Sequence, residues 1–203
     1  MTTLDSLEKV FETDLRDVYD AEKRLTKALP KMAKAAESEE LKKALKDHVT
    51  VTTGQVGRIE RIFQAAGLRV AGKPCAGMKG LIEEGQEAME SDGEAPFTDI
   101  ALICAARRVE HYEMAAYMSL LDLAEELHGG NVVDMLRESL REEEEADQTL
   151  ASIAQNLVAE SRPGESDEEE DEEQEEADDE EAGEEEMEGA EEEEEAPVSS
   201  DRR

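Results

Sequence analysis

Apolar residues recur every three to four positions through most of residues 1–162, a period that predicts α-helices rather than strands. The first run, from about Leu4 to Ala36, puts Leu15, Val18, Tyr19, Leu25 and Leu29 on one face and carries Pro30 inside it, where a kink is expected. Ser38 is placed to cap a second helix. Its opening residues Glu39 and Glu40 suit the positive end of the helix dipole, and it runs to about Ala66 before Gly67. These two helices form an antiparallel hairpin. A longer connection, Leu68 to Thr98, contains a short amphipathic segment from Ala76 to Glu90 whose Met78, Leu81, Ile82 and Met89 can dock on the rest. A third long helix runs from about Phe97 to Leu127 and stops at His128-Gly129-Gly130. Asn131 is then placed to cap a fourth, about Val132 to Ala159, with Leu136, Leu140, Leu150, Ile153 and Leu157 inward. Two hairpins joined by one long crossover form the ferritin-like arrangement, so the expected fold class is all-α, a ferritin-like four-helix bundle.

The periodic pattern stops near Arg162-Pro163-Gly164. Residues 163–203 hold twenty-four acidic residues and two arginines, which supplies −22 of the formal net charge of −34. Like charges repel and too little apolar surface is left to offset ordering entropy, so this segment is expected to be a disordered acidic tail. Residues 1–162 carry the remaining −12 and form the folded domain. A chain this acidic repels phosphate backbones and anionic lipid, which argues against nucleic acid and membrane partners. The same excess of carboxylates suits a cytosol of very high salt. No apolar run approaches the length of a membrane span and no charged start precedes an apolar stretch, so a cytoplasmic location is expected. Cys75 and Cys104 lie in no Cys-x-x-Cys or Cys/His cluster. Both are expected as buried, reduced thiols rather than zinc ligands.

Carboxylates interrupt the inward stripes on several helices. Glu22 shares its stripe with Leu15, Val18, Tyr19, Leu25, Thr26 and Leu29. Glu110, Glu113 and Tyr117 share theirs with Ile103, Ala106, Leu120 and Leu121. On the fourth helix the phase of the leucines selects Glu143 and Asp147 out of a dense acidic run. On the second, His48 faces inward with Leu41, Leu45, Thr52, Gln55 and Ile59. A carboxylate taken out of water costs several kcal/mol unless it is paired or binds a cation. Two readings therefore stand side by side. Either these residues hold a metal ion, or the acids share protons and hydrogen-bond to Tyr19, Tyr117, Thr52 and Gln55. A mostly carboxylate donor set with one imidazole and no thiolate suits iron or manganese better than zinc or copper. Tyr19 and Tyr117 are the candidates for hydrogen-bonding support beside such a site.

Four ordered strings carry a family resemblance: LRDVYDAEKRLTKALPKMAKAA from Leu15, GQVGRIERIF from Gly54, KPCAGMKGLIEEG from Lys73 and DIALICAARRVEHYEMAAY from Asp99. On these the chain resembles the YciE/YciF family of small ferritin-like proteins over almost all of residues 4–157. The resemblance implies a rubrerythrin-related bundle that can hold a dinuclear iron site and is associated with stress responses. Carried over residue by residue, it places Glu22, His48, Glu110, Glu113, Glu143 and Asp147 at the polar positions inside the bundle. One position departs from the family's pattern. Relatives usually read His-x-Glu-Glu-Thr where this chain has His48-Val49-Thr50-Val51-Thr52, so a carboxylate is missing at Val51. That loss could weaken one metal position, leave a mononuclear site or abolish it. Gly57 stands where a glutamate is common, which weakens the helix by about 1 kcal/mol relative to alanine.

The function expected from these readings is a stress-associated ferritin-like protein with a carboxylate-rich iron or manganese site handling oxygen or peroxide. The competing expectation is a metal-free helical protein serving assembly or partner binding, with no reaction of its own. Helical hairpins of this kind commonly pair, so a homodimer is expected.

Overall fold

A computed structural model of the protein describes residues 3–162, and residues 163–203, for which the sequence predicts a disordered tail, lie outside the described residues. The described chain is all helical: α1 (Leu7–Ala35), α2 (Glu39–Ala65), α3 (Ala76–Glu90), α4 (Phe97–Leu127) and α5 (Gly130–Glu160). Helix α1 begins three residues later than its apolar pattern allows, because the Ser6 side chain accepts a hydrogen bond from the Lys9 amide and caps it there. It stays helical through Pro30. Ser38 caps α2 as expected, accepting from the Leu41 amide at 3.3 Å. That helix closes at Gly67, whose φ of 70° lets the Leu68 amide reach back to the Phe63 carbonyl at 2.8 Å. Helix α5 departs from expectation at its start. Gly129 is its cap and Asn131 falls inside the first turn, because Val132 and Val133 are already buried in helical phase.

Helices α1 and α2 form one hairpin and α4 and α5 the other, with α1 packed on α4, α2 on α5, and α3 lying across α1 and α4. This is the ferritin-like four-helix bundle with a crossover helix. Both ends of the α1–α4 pairing are pinned. At one end the buried Asp99 carboxylate of α4 accepts from the Glu37 and Ser38 amides at 2.9 and 2.6 Å, holding the α1–α2 turn. At the other the Phe11 and His128 rings lie 4.6 Å apart. The crossover is held by polar bonds. Cys75 receives a contact from the Tyr112 hydroxyl at 2.9 Å, Tyr112 donates to Asp17 at 2.9 Å, and the Cys75 amide donates to Asp20 at 2.8 Å. Cys75 is thus buried as expected, but Cys104 is exposed. Its neighbours Ile103, Ala105 and Ala106 take the inward positions and leave it on the outer face of α4.

The apolar interior is divided in two. One cluster gathers Leu25, Leu29, Leu41, Leu45, Leu102, Ile103, Leu150 and Ile153. The other gathers Phe11, Leu15, Ile59, Ile62, Phe63, Leu120 and Leu136. Every long helix crosses from one cluster to the other near its middle, and on each the crossing is made by polar residues: Glu22 on α1, His48, Thr52 and Gln55 on α2, Glu110 and Glu113 on α4, and Ser139 and Glu143 on α5. The fold therefore builds a polar layer between two dry cores.

Candidate metal centre

Five of the six residues predicted as ligands meet in this layer. Glu22 and Glu143 are fully buried, Glu110 and Glu113 are each 1% exposed and His48 is 8% exposed. One donor atom from each of His48, Glu110, Glu113 and Glu143 lies within 4.8 Å of the others. The His48 Nε2 faces Glu110 Oε2 at 3.4 Å and Glu143 Oε2 at 3.5 Å. Glu22 adjoins this group from α1. Its carboxylate accepts a hydrogen bond from the Tyr117 hydroxyl, and its charge acts on both Glu113 and Glu143. On the far side the Gln55 side-chain amide donates to Glu143.

The sixth residue, Asp147, does not join them. Arg107 on α4 grips it with two bonds, Nε to Oδ1 at 2.7 Å and Nη2 to Oδ2 at 3.1 Å, and His111 approaches at 3.5 Å. An arginine fork satisfies both carboxylate oxygens, so Asp147 stays at the edge of the bundle, and this hydrogen bonding holds its carboxyl below the usual range. Tyr19 is likewise committed elsewhere. Its hydroxyl donates to Glu60 at 2.7 Å and its ring meets Phe63 edge-on, so hydrogen-bonding support for the cluster falls to Tyr117.

A neighbouring ion network was not anticipated. Arg58, 6% exposed, bonds Glu142 through both terminal nitrogens at 2.8 and 3.0 Å, Ser139 at 2.9 Å and Glu138 at 3.0 Å. Its signal in the sequence was phase, since Arg58 stands three residues after Gln55 and beside Ile59 on the inward face of α2.

The electrostatics of the cluster are those of acids lacking a counter-charge. Burial pushes the Glu22 carboxyl up to about 8, against the pull of the Tyr117 hydrogen bond and of His48. Burial and the nearby Glu22 and Glu110 push Glu143 up to about 11, and burial with Glu22, Glu143 and Glu110 raises Glu113 well above its ordinary value. For His48 burial favours the neutral ring, but Glu110 and Glu22 outweigh it and raise its pKa. Burial and the surrounding carboxylates hold Tyr117 protonated, which keeps it a hydrogen-bond donor.

Seven buried atoms in the layer have no hydrogen-bond partner: Thr52 Oγ1, Gln55 Oε1 and, on the candidate ligands, Glu22 Oε2, His48 Nε2, Glu110 Oε2, Glu113 Oε1 and Glu143 Oε2. Each such atom costs about 1–3 kcal/mol, more when charged, so their convergence fits a bound cation better than a finished hydrogen-bond network. Four carboxylates and one imidazole, with no sulfur, form a donor set for a hard or borderline cation such as iron(II) or manganese(II).

Fold and layer together define a ferritin-like bundle with a carboxylate–histidine centre. Residues 6–162 match the family described as a domain of unknown function, DUF892, and the chain belongs to that family. It is 42% identical to protein YciF of Escherichia coli K12 over 154 residues, which cover 75% of this chain and 93% of that protein. The crystal structure of the E. coli stress protein YciF superposes with a TM-score of 0.73 at 41% identity, covering 77% of this chain and 99% of that one. YcfI of Rhodopseudomonas palustris superposes with a TM-score of 0.71 at 35% identity, covering 74% and 98%. A Xanthomonas campestris protein shares the fold at 20% identity and a TM-score of 0.59, over 75% of this chain and 92% of its own. Among the described residues no helix is long and apolar enough to cross a membrane.

Proposed function

We propose that this protein binds iron or manganese in the layer formed by Glu22, His48, Glu110, Glu113 and Glu143, and that it acts in stress protection through oxygen or peroxide chemistry at that site. The convergence of donor atoms from His48, Glu110, Glu113 and Glu143, each of which carries an unpartnered buried atom, carries the reading. The likeness to the E. coli stress protein YciF supports the physiological setting.

When bound, the cation supplies one-electron redox chemistry and Lewis acidity toward a small oxidant. The chain does the rest. Glu110 and Glu113, three apart on α4, present two carboxylates from one rigid helix, and Glu143 faces them from α5. The Tyr117 hydroxyl fixes Glu22, and the Gln55 amide fixes Glu143, so each of these acids keeps one oxygen free toward the centre. The apolar clusters on either side shield the layer from water along the bundle axis, which strengthens the charge interactions within it. Protons held by Glu22, Glu113 and Glu143 in the metal-free protein leave when the cation arrives, so metal binding strengthens as pH rises.

A metal-free structural role is the second reading. It is favoured by the apolar residues at Val51 and Ala146, which leave α2 with His48 and α5 with Glu143 as their single donors, and by the provisional description of the R. palustris relative as a structural protein. Metal analysis after anaerobic iron(II) loading and desalting separates the two. Near-stoichiometric iron in the wild type that is lost in Glu113→Ala supports the centre; a wild type that holds no iron supports the structural role.

A further inference from the structure

A cavity of about 220 Å³ opens between α2 and α5 and runs inward to the ligand layer. Its inner wall is His48 and Glu110, two residues more than nine-tenths buried whose Nε2 and Oε2 have no partner. Its side walls include Val51 and Ala146, and its mouth carries Asp47, Glu142 and Glu145. Dinuclear bundles commonly place a second ligand three residues after the first on two of their helices. Here those places, three after His48 and three after Glu143, are Val51 and Ala146, so small apolar side chains leave a shaft where ligand side chains would stand.

We propose that this cavity is the inlet through which a divalent cation reaches the carboxylate layer, with Asp47 and Glu145 as the acids that first receive it. The inference rests on the metal reading above. The mouth is built for exchange. Asp47 is paired with Lys43 at 2.5 Å and Glu145 with Arg141 at 2.6 Å, and all four side chains are at least 60% exposed. Such exposed pairs are worth little and give way to a doubly charged ion. Glu142 is different, because Arg58 holds both of its oxygens, and it fixes one side of the mouth. A larger cavity of about 480 Å³ between α1, α3 and α4 offers a poor alternative. Asp20 on its wall is already paired with Arg24, while Lys23, Lys27 and Lys31 leave a field that repels cations, and the cavity touches none of the five ligand residues.

The test is the rate at which the full-length, metal-free protein takes up iron(II) anaerobically, measured by stopped flow against a chromophoric chelator. Filling the shaft in Val51→Phe or Ala146→Phe is expected to slow uptake by about tenfold or more while the final iron stoichiometry stays that of the wild type. The double variant D47N/E145Q, altered only at exposed positions, is expected to slow uptake severalfold and to flatten its dependence on ionic strength, since steering by charge raises on-rates by about 10-fold to 1,000-fold. Should Val51→Phe and Ala146→Phe disturb folding, this charge pair decides. Unchanged uptake rates with unchanged stoichiometry would overturn the inlet and leave the metal centre standing. A wild type that binds no iron at equilibrium overturns both.

Discussion

Glu142, Glu143 and Asp147 lie within one short stretch of α5 and meet two different fates. Glu142 and Asp147 are each gripped at both oxygens by an arginine, Arg58 and Arg107 respectively. Glu143, between them in sequence, is fully buried and receives only the Gln55 amide and a distant His48. The protein supplies a fixed positive charge to the acids at the rim of the bundle and withholds one from the acids at its centre. A rim pair is therefore complete without any ligand. The central group of Glu22, Glu110, Glu113 and Glu143 has one imidazole among four carboxylates, and it must hold protons or take a cation.

The sharpest way to break this contrast is to remove a central acid. Glu113→Gln should weaken iron(II) affinity by about 100-fold or more, taking a first-contact ligand to lose at least what a supporting residue does. It should leave the metal-free protein at least as stable as the wild type, because an unpartnered buried carboxyl has gone. Calorimetric titration and thermal melts read both; a loss of stability with affinity intact would mean that Glu113 is structural.

Removing a rim cation should do the opposite. Arg58→Ala leaves Glu142 and Glu138 unanswered and should cost about 2–3 kcal/mol, held below the full price of a buried pair because both acids retain some solvent. Iron stoichiometry should be unchanged. Chemical denaturation checks the first point and metal analysis the second.

The two regions should also separate by pH. Glu22 and Glu143 are raised from 4.5 to about 8 and about 11, so the metal-free folded state holds their protons more tightly than the unfolded chain. The stability they contribute is complete below about pH 4.5 and is lost as pH rises, through about 8 for Glu22 and about 11 for Glu143. His48, raised from 6.5, adds a loss of the same sign. The lowered Asp147 acts in another window, since its contribution is lost only as pH falls below the usual 3.8. Melting temperature of the metal-free protein should thus fall by roughly 3 °C or more between pH 5 and 8, and saturating manganese(II) should reverse the trend. A flat profile would show that the central acids are ionised and satisfied by other means. The smallest effect belongs to Asp147→Asn, which loosens an arginine pair whose guanidinium is partly exposed and should cost under about 1 kcal/mol with no change in metal content.

Much of this layer was legible in the chain. Helical phase is set by backbone geometry, so a glutamate on a stripe otherwise occupied by apolar residues is directed inward, and Glu22, Glu110, Glu113 and Glu143 are all buried. His48, Thr52 and Gln55 followed from the phase of Leu41, Leu45 and Ile59 for the same reason. Phase fails at the edge of a stripe. Asp147 has a nearly inward position, but a long guanidinium from the adjacent helix reaches it first, and periodicity encodes no such reach. Arg107 and Arg58 thus decided which acids remain available, and neither could be weighed without knowing which helices are neighbours. The start of α2 was legible in its Ser38 cap, but not that of α1, where the Ser6 cap starts the helix three residues past the start of the apolar pattern, nor that of α5 at Gly129, where burial of Val132 and Val133 sets the first turn.

The most direct test is diffraction at the iron and manganese absorption edges from crystals grown with each metal. An anomalous peak within bonding distance of Glu110, Glu113, Glu143 and His48, with Asp147 still held by Arg107, is the result expected. A layer that shows no peak, with its carboxyls bridged to one another by short hydrogen bonds and ordered water, would contradict the metal centre.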